Sequence, residues 1–378
     1  MPSFFLTPAA KGKRIVLWTL VCFAASQLAL SVYLDYRRPE VRDPLYEYRL
    51  RALRSRLAES PNAPLFLALG SSRIKYGLWP ARMKVRPSEG APEPVIYNFG
   101  LNGMGTIREL MYFRRLLADG IRPRWLLLEV WPPLWAEAGF FRESRMVLGE
   151  DDLHWRDVPL MCRYFAKEPK VMRDGLRKCF LPISVYRSRL IDFAVSALRP
   201  SEQASEGVRD LSRWLPEDGT GWFRIPWKGD TPEEKSRALK NGLEQIKPLV
   251  NPLRIDPRSD AALRELVEEC RRRGIEVALI LLPEPSVTRG WYPPQAHTLV
   301  HDYLRRLQRA YQLPIIDTRD WVPDEDFLDT CHIGFRGVAP FSERVGREVL
   351  QPLLQGQPLS ESVLLTNEAA KMPSERPE

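Results

Sequence analysis

The chain has 378 residues, of which 44% are hydrophobic, enough to bury a sizeable core in one large domain or in one domain with a big insertion. Lys and Arg outnumber Asp and Glu by 56 to 48, yet the basic residues are spread among acids without an aromatic-plus-basic recognition motif, which argues against nucleic acid and for a solvated basic surface. The cysteines at 22, 162, 179, 270 and 331 form no CxxC pair, so a zinc site is not expected.

In chain order, residues 1–14 form a short tail carrying Lys11, Lys13 and Arg14. Residues 15–34, IVLWTLVCFAASQLALSVYL, run without a formal charge. At about 1.5 Å per residue that stretch matches a hydrocarbon layer of about 30 Å. Trp18 and Tyr33 stand near its two ends, where amphipathic rings favour the interface. Leu28-Ala29-Leu30-Ser31 makes a poor small-x-small cleavage site, so an uncleaved anchor through residues 15–34 is expected, with the lipid bilayer as its partner. Six arginines between residues 37 and 54 follow the three basic residues before it. A plain charge count keeps the C-terminal side in the cytoplasm, although long domains translocate largely regardless of such charges.

Residues 35–61 read as a helical linker in which Leu45, Tyr48, Leu50, Leu53 and Leu57 recur at helical spacing. From residue 62 onward, short apolar runs alternate with amphipathic segments. Residues 65–69, 94–99, 124–130, 275–282 and 313–317 read as strands. Residues 106–120, 260–273, 296–312 and 338–354 read as helices. This alternation predicts an α/β fold with a mostly parallel sheet covered by helices on both faces. Residues 135–255 interrupt the pattern as a large mixed insertion holding Trp135, Trp155, Trp214, Trp222 and Trp227; both a lid at the sheet edge and a decorating subdomain fit it. Residues 357–378 read as a polar tail. Proline, at 34 residues, is nearly double its usual share of about 5%, so many loops are stiff and irregular.

Ligands of parallel sheets gather beyond the C-terminal ends of the strands. Gly70-Ser71-Ser72 and Asn98-Phe99-Gly100 fall there. Near the other end of the chain, Asp329 and His332 lie three apart, ahead of the last helix. At that spacing a carboxylate can hold one ring nitrogen and fix the tautomer, leaving the other nitrogen to take a serine proton. The competing readings are a helix-capping serine and a surface histidine. His297 and His301, four apart on a predicted helix, lack a third metal ligand and read as a solvated face. Arg73 reads as a structural ion pair, and Glu284 as a loop acid. Cys331 lies within the Asp329–His332 motif but is not expected to act as the nucleophile.

A serine after the first core strand, combined with D-x-x-H before the last helix, resembles the SGNH (GDSL-like) hydrolase superfamily. More narrowly, the chain is similar to membrane-anchored SGNH-like proteins related to alginate and D-alanine O-acylation factors. The likeness covers roughly residues 62–134 and 260–355 of a domain spanning 62–356, and it implies a flavodoxin-like three-layer fold. Gly70-Ser71-Ser72 matches the first block, which implies Ser72 as nucleophile and an oxyanion-hole donor. The second block matches Asn98 to Gly103 and implies that the Gly103 N–H joins the oxyanion hole. Asp329-Thr330-Cys331-His332 matches the last block, with Asp329 orienting His332 as general base. The third block departs from the pattern: Val130-Trp131-Pro132-Pro133 supplies no asparagine, and Asn102 is the substitute donor within reach in sequence. The resemblance implies a serine esterase or O-acyltransferase without a cofactor. Its substrate is then an acyl ester, with a cell-envelope or extracellular polysaccharide as carbohydrate partner. It also implies a membrane acyl-donor protein as a further partner, and an extracytoplasmic catalytic domain. The alternative is a catalytically weak SGNH-like component for binding or assembly.

Overall fold

Short apolar runs bracketed by proline and glycine set the sheet. In a computed structural model of the chain, residues 8–87, 90, 92–140, 143–144, 152–198, 218–225 and 231–365 are described. In chain order, the elements that matter for function begin with helix α1 (Pro8–Tyr36), helix α2 (Pro44–Glu59), strand β1 (Leu65–Leu69) and the short helix α3 (Ser72–Gly77). Strand β2 (Val95–Asn98), helix α4 (Thr106–Ala118) and strand β3 (Trp125–Glu129) follow. Helices α5 (Pro169–Phe180), α6 (Arg187–Leu198) and α7 (Pro257–Arg272) lead to strand β4 (Glu276–Leu281). Helix α8 (Pro294–Tyr311), strand β5 (Ile315–Asp317) and helix α9 (Phe335–Val345) complete the set.

The chain forms two units, one comprising Met1–Tyr48 and Val147–Trp214, the other Arg49–Met146 and Leu215–Glu378. The second unit holds a five-stranded, all-parallel sheet in the order β2-β1-β3-β4-β5. The pairing Phe66↔Trp125 and Leu65↔Val95 sets β1 between β3 and β2. Every residue of β1, β2 and β3 is buried, as expected of parallel strands covered on both faces. Phe66, Ala68, Leu127, Ala278 and Ile316 pack with Val338, Phe341 and Val345 of α9. On the other side α4 packs against α7, and α7 reaches β4. The α/β expectation therefore holds, with strand and helix bounds within a few residues of the sequence reading. The last helix starts earlier than expected, at Phe335, and passes through a π-helical turn, Gly346–Leu350.

The chain leaves β1 toward β2 on one side and returns to β3 on the other. The order thus reverses at the carboxyl ends of β1 and β3, the switch point at which open parallel sheets bind ligands.

The first unit contains α1. Its stretch Gly12–Tyr36 is long and apolar enough to cross a membrane, and Ile15, Leu17, Trp18 and Leu20 are exposed along it. Near its end, Leu34 joins Val41 and Tyr186 in a small apolar cluster. Of the insertion's tryptophans, Trp214 and Trp227 lie outside the described residues, as does the tail beyond residue 365.

Candidate active site

Ser71 and Ser72 follow β1 and Gly70, but the structure separates their roles. Ser71 is buried and caps α3: its hydroxyl accepts from the Arg73 N–H at 3.2 Å, the preferred job of a serine at that position. Its own N–H donates to Glu129 Oε2 at 2.6 Å. Ser72, the first helical residue, is partly exposed. The N–H of a first helical residue has no intrahelical acceptor.

Gly70 makes this turn possible. A Cβ there would lie 2.5 Å from the Glu129 Cβ and 2.5 Å from Ile74 Cγ1, so β1 and β3 can meet this closely only around a glycine. Glu129 in turn faces Arg73 at 3.4 Å, both side chains being buried. Burial raises the Glu129 carboxyl above its ordinary range, against the pull of Arg73 and the Ser71 N–H. Arg73 also donates to the Leu282 and Pro283 carbonyls, each at 2.8 Å, and stacks on Trp131. It is the structural ion pair expected from the sequence. Glu284 is a loop acid, as expected, and it is buried, accepting from Trp131 Nε1 at 2.7 Å and from the Tyr292 hydroxyl at 3.1 Å.

The second block is tied to the first by hydrogen bonds. The Leu101 N–H donates to the Gly70 carbonyl at 2.9 Å. Asn98 Nδ2 donates to the Ile74 and Leu78 carbonyls at 2.7 and 2.6 Å, and Asn98 Oδ1 accepts from the Gly100 N–H at 2.9 Å. Arg49, fully buried on α2, donates to the Asn98 and Gly100 carbonyls at 2.6 and 2.9 Å and stacks on Phe99. Burial pulls its pKa down to about 10, so it stays protonated at neutral pH. Asn102 and Gly103 are half-buried on the turn that follows. Gly103 has a φ of 58°, a left-handed conformation that favours glycine. Asn102 Oδ1 lies 3.5 Å from Lys75 Nζ, and the Asn102 carbonyl accepts from Arg108 at 2.6 Å. After β3 the Val130 N–H is taken by the Ile280 carbonyl, and Trp131-Pro132-Pro133 leads into a helical turn.

The acid and the imidazole come from a tight loop closed by the Phe327↔Ile333 bridge and by the Leu328 N–H donating to the His332 carbonyl at 3.0 Å. Within it, Asp329 Oδ1 accepts from the backbone N–H groups of Cys331 and His332, each at 2.8 Å. Asp329 Oδ2 lies 2.7 Å from His332 Nδ1. The three-residue spacing thus locks the carboxylate to its own loop and aims it at the ring. His332 Nε2 lies 2.8 Å from Ser72 Oγ, across 260 residues of sequence. The network assigns the tautomer: Nδ1–H donates to Asp329, and the Ser72 hydroxyl donates to Nε2.

Electrostatics follow from this arrangement. Burial disfavours the imidazolium, but the Asp329 carboxylate hydrogen-bonded to Nδ1 favours it, and His332 is held well above the ordinary histidine range. Asp329 is held below the usual carboxylate range: burial works against its charge, and His332 and the loop N–H groups overcome it. Burial pushes the Cys331 thiol up, leaving it protonated and a weak nucleophile at neutral pH. Donor atoms of Asp329, Cys331 and His332 lie within 4.8 Å of one another, the one such group among the described residues. Both ring nitrogens of His332 are already engaged by Asp329 and Ser72, which does not fit a metal ligand. His297 and His301 meet Tyr292 and Asp302 respectively. The five cysteines are free thiols.

Three of the residues singled out in the sequence, Ser72, Asp329 and His332, therefore stand in one hydrogen-bonded chain. Gly103 and Asn102 stand on the adjoining turn. Sequence reasoning missed Glu129 and Arg49. A charged residue closing the apolar run WLLLE was a signal for Glu129; nothing in the linker pattern marked Arg49.

No curated protein matches the chain in sequence. A family model without a functional description matches residues 250–354. Among solved structures, one from Bacteroides fragilis described as a "putative acylhydrolase" is similar over 81% of this chain and 95% of its own, at 11% identity and a TM-score of 0.35. That likeness assigns no activity to this chain, which has to come from the geometry of the site.

Proposed function

We propose that the protein is a membrane-anchored, SGNH-like serine esterase or O-acyltransferase. The observation that carries the reading is the chain from Ser72 Oγ to His332 Nε2 at 2.8 Å and from His332 Nδ1 to Asp329 Oδ2 at 2.7 Å. Such a chain lets the imidazole take the serine proton as oxygen attacks an acyl carbonyl, while the carboxylate stabilises the imidazolium. The carbonyl becomes a tetrahedral oxyanion beside the N–H groups of Ser72 and Gly103, with Asn102 as a further donor. The imidazolium then returns its proton to the departing alcohol, leaving an acyl-serine. Water or a sugar hydroxyl, deprotonated by the same imidazole, accepts the acyl group and frees Ser72. The resemblance to O-acylation factors supports a cell-envelope or extracellular polysaccharide as substrate or acceptor, a membrane protein as acyl donor and an extracytoplasmic domain.

A second reading has its own observation. Trp131-Pro132-Pro133 stands where related sites place an oxyanion donor, and one such donor is worth about 10²–10³ in rate. On that reading the domain binds acyl esters or carbohydrate without efficient turnover. A fluorophosphonate probe separates the two. The full-length protein is expected to label and Ser72→Ala to stay blank; an unlabelled wild-type protein overturns the enzyme reading.

A further inference from the structure

Gln27, Ser31 and Asp35 recur every four residues, on one face of α1. Each is engaged by residues of its own unit. Gln27 Oε1 accepts from the Ile183 N–H at 3.4 Å. The Ser31 hydroxyl donates to the Cys179 carbonyl. Asp35 faces Arg42 Nε at 2.5 Å and His154 Nδ1 at 3.1 Å. These contacts set the segment 179–183 alongside α1 at a definite level. The charge-free run of α1 ends at Leu34, and Gln27 lies seven residues inside it, about 10 Å along the axis at 1.5 Å per residue. A hydrocarbon layer is about 30 Å thick. With α1 across a bilayer, Ile183 therefore lies about a third of the way into it.

The side chains at that level suit such a place. Phe180, Leu181 and Ile183 are 37%, 38% and 48% exposed. The backbone suits it as well. The N–H groups of Leu181, Ser184 and Tyr186 donate to the Arg177, Leu181 and Pro182 carbonyls, and that of Ile183 to Gln27. Apolar surroundings require such internal partners. Arg177 and Arg187, both exposed, flank the segment on stems long enough to return their charge to lipid phosphates.

We propose that the turn joining α5 to Pro182–Val185 inserts among phospholipid acyl chains in the leaflet that holds the C-terminal third of α1. The unit then grips the bilayer by two elements, one crossing it and one dipping into it. The proposal rests on α1 crossing the bilayer, and the experiment separates the two. A benzophenone amino acid is placed at Ile183 of the full-length protein in phosphatidylethanolamine–phosphatidylglycerol vesicles with radiolabelled acyl chains. The same probe at Leu20 reports on α1, and at exposed Glu268 on background. Lipid adducts at Ile183 are expected at ~10-fold or more above Glu268 and near the Leu20 level, because both positions then face acyl chains. Background labelling at Ile183 with strong labelling at Leu20 overturns the insertion and leaves α1 as the anchor. Background labelling at both overturns the premise and the proposal together. A protein adduct in place of lipid at Ile183 overturns it in favour of a protein partner.

Discussion

At the scale of single residues, His332 sets the working pH. It must be neutral at Nε2 to accept the Ser72 proton, and its pKa is raised well above the ordinary range. The rate constant kcat/KM for an activated ester is therefore expected to rise with pH, with its acid limb above about pH 6.5. The same shift makes protonated His332 a stabilising group. Its contribution is complete below about pH 6.5 and is lost as the pH rises through the raised value. Asp329→Asn removes the carboxylate that favours the imidazolium and orients the ring. Steady-state kinetics across pH are expected to show the acid limb moved to lower pH and a loss of about 10⁴ in kcat. Gly70→Ala tests the close approach of β1 to β3. Its Cβ meets Glu129 and Ile74, so a thermal melt is expected to show about 1–3 kcal/mol of destabilisation from overpacking.

At the scale of elements, the site is a junction of three loops, each held by backbone donors or acceptors. Asn98 clamps the Ile74 and Leu78 carbonyls in and just after α3, Asp329 holds its own loop, and Arg49 on α2 holds the carbonyls of Asn98 and Gly100. Arg49→Met keeps most of the apolar stem and leaves two buried carbonyls without their donor. At about 1–3 kcal/mol for each unpaired group, denaturant unfolding is expected to show a loss of roughly 2–4 kcal/mol. Fluorophosphonate labelling of Ser72 should slow as well, because the turn bearing Gly103 is no longer pinned. Unchanged labelling in a destabilised variant would show that Arg49 serves the fold alone.

At the scale of the whole molecule, α1 is both an apolar helix and a packing partner within its own unit. Removing residues 1–36 takes Asp35 from the buried guanidinium of Arg42 and Leu34 from its cluster with Tyr186. A buried charge that loses its partner costs about 3–5 kcal/mol. Limited proteolysis of such a truncation is expected to cut within residues 152–198 much faster than in the full chain. The parallel sheet, whose contacts lie in the other unit, should resist as before.

Much of this protein was legible in its sequence because the signals are local. Runs such as LFLAL and EVALIL are apolar on both faces, so they had to be covered strands of a parallel sheet. A charge-free stretch as long as 15–34 had to be a long apolar helix. Asp329 and His332 share one loop, so their three-residue spacing already implied contact. The match to the first block already pointed to Ser72; what tertiary structure decided is the pairing itself, because the turn after β1 buries Ser71 as a cap and leaves Ser72 half-buried, 2.8 Å from His332 Nε2. Glu129, Arg49 and the Gln27–Ile183 contact were beyond reach for the same reason. A buried charge or a helix's lateral neighbour is chosen by segments far away in the chain, and periodicity carries no record of that choice.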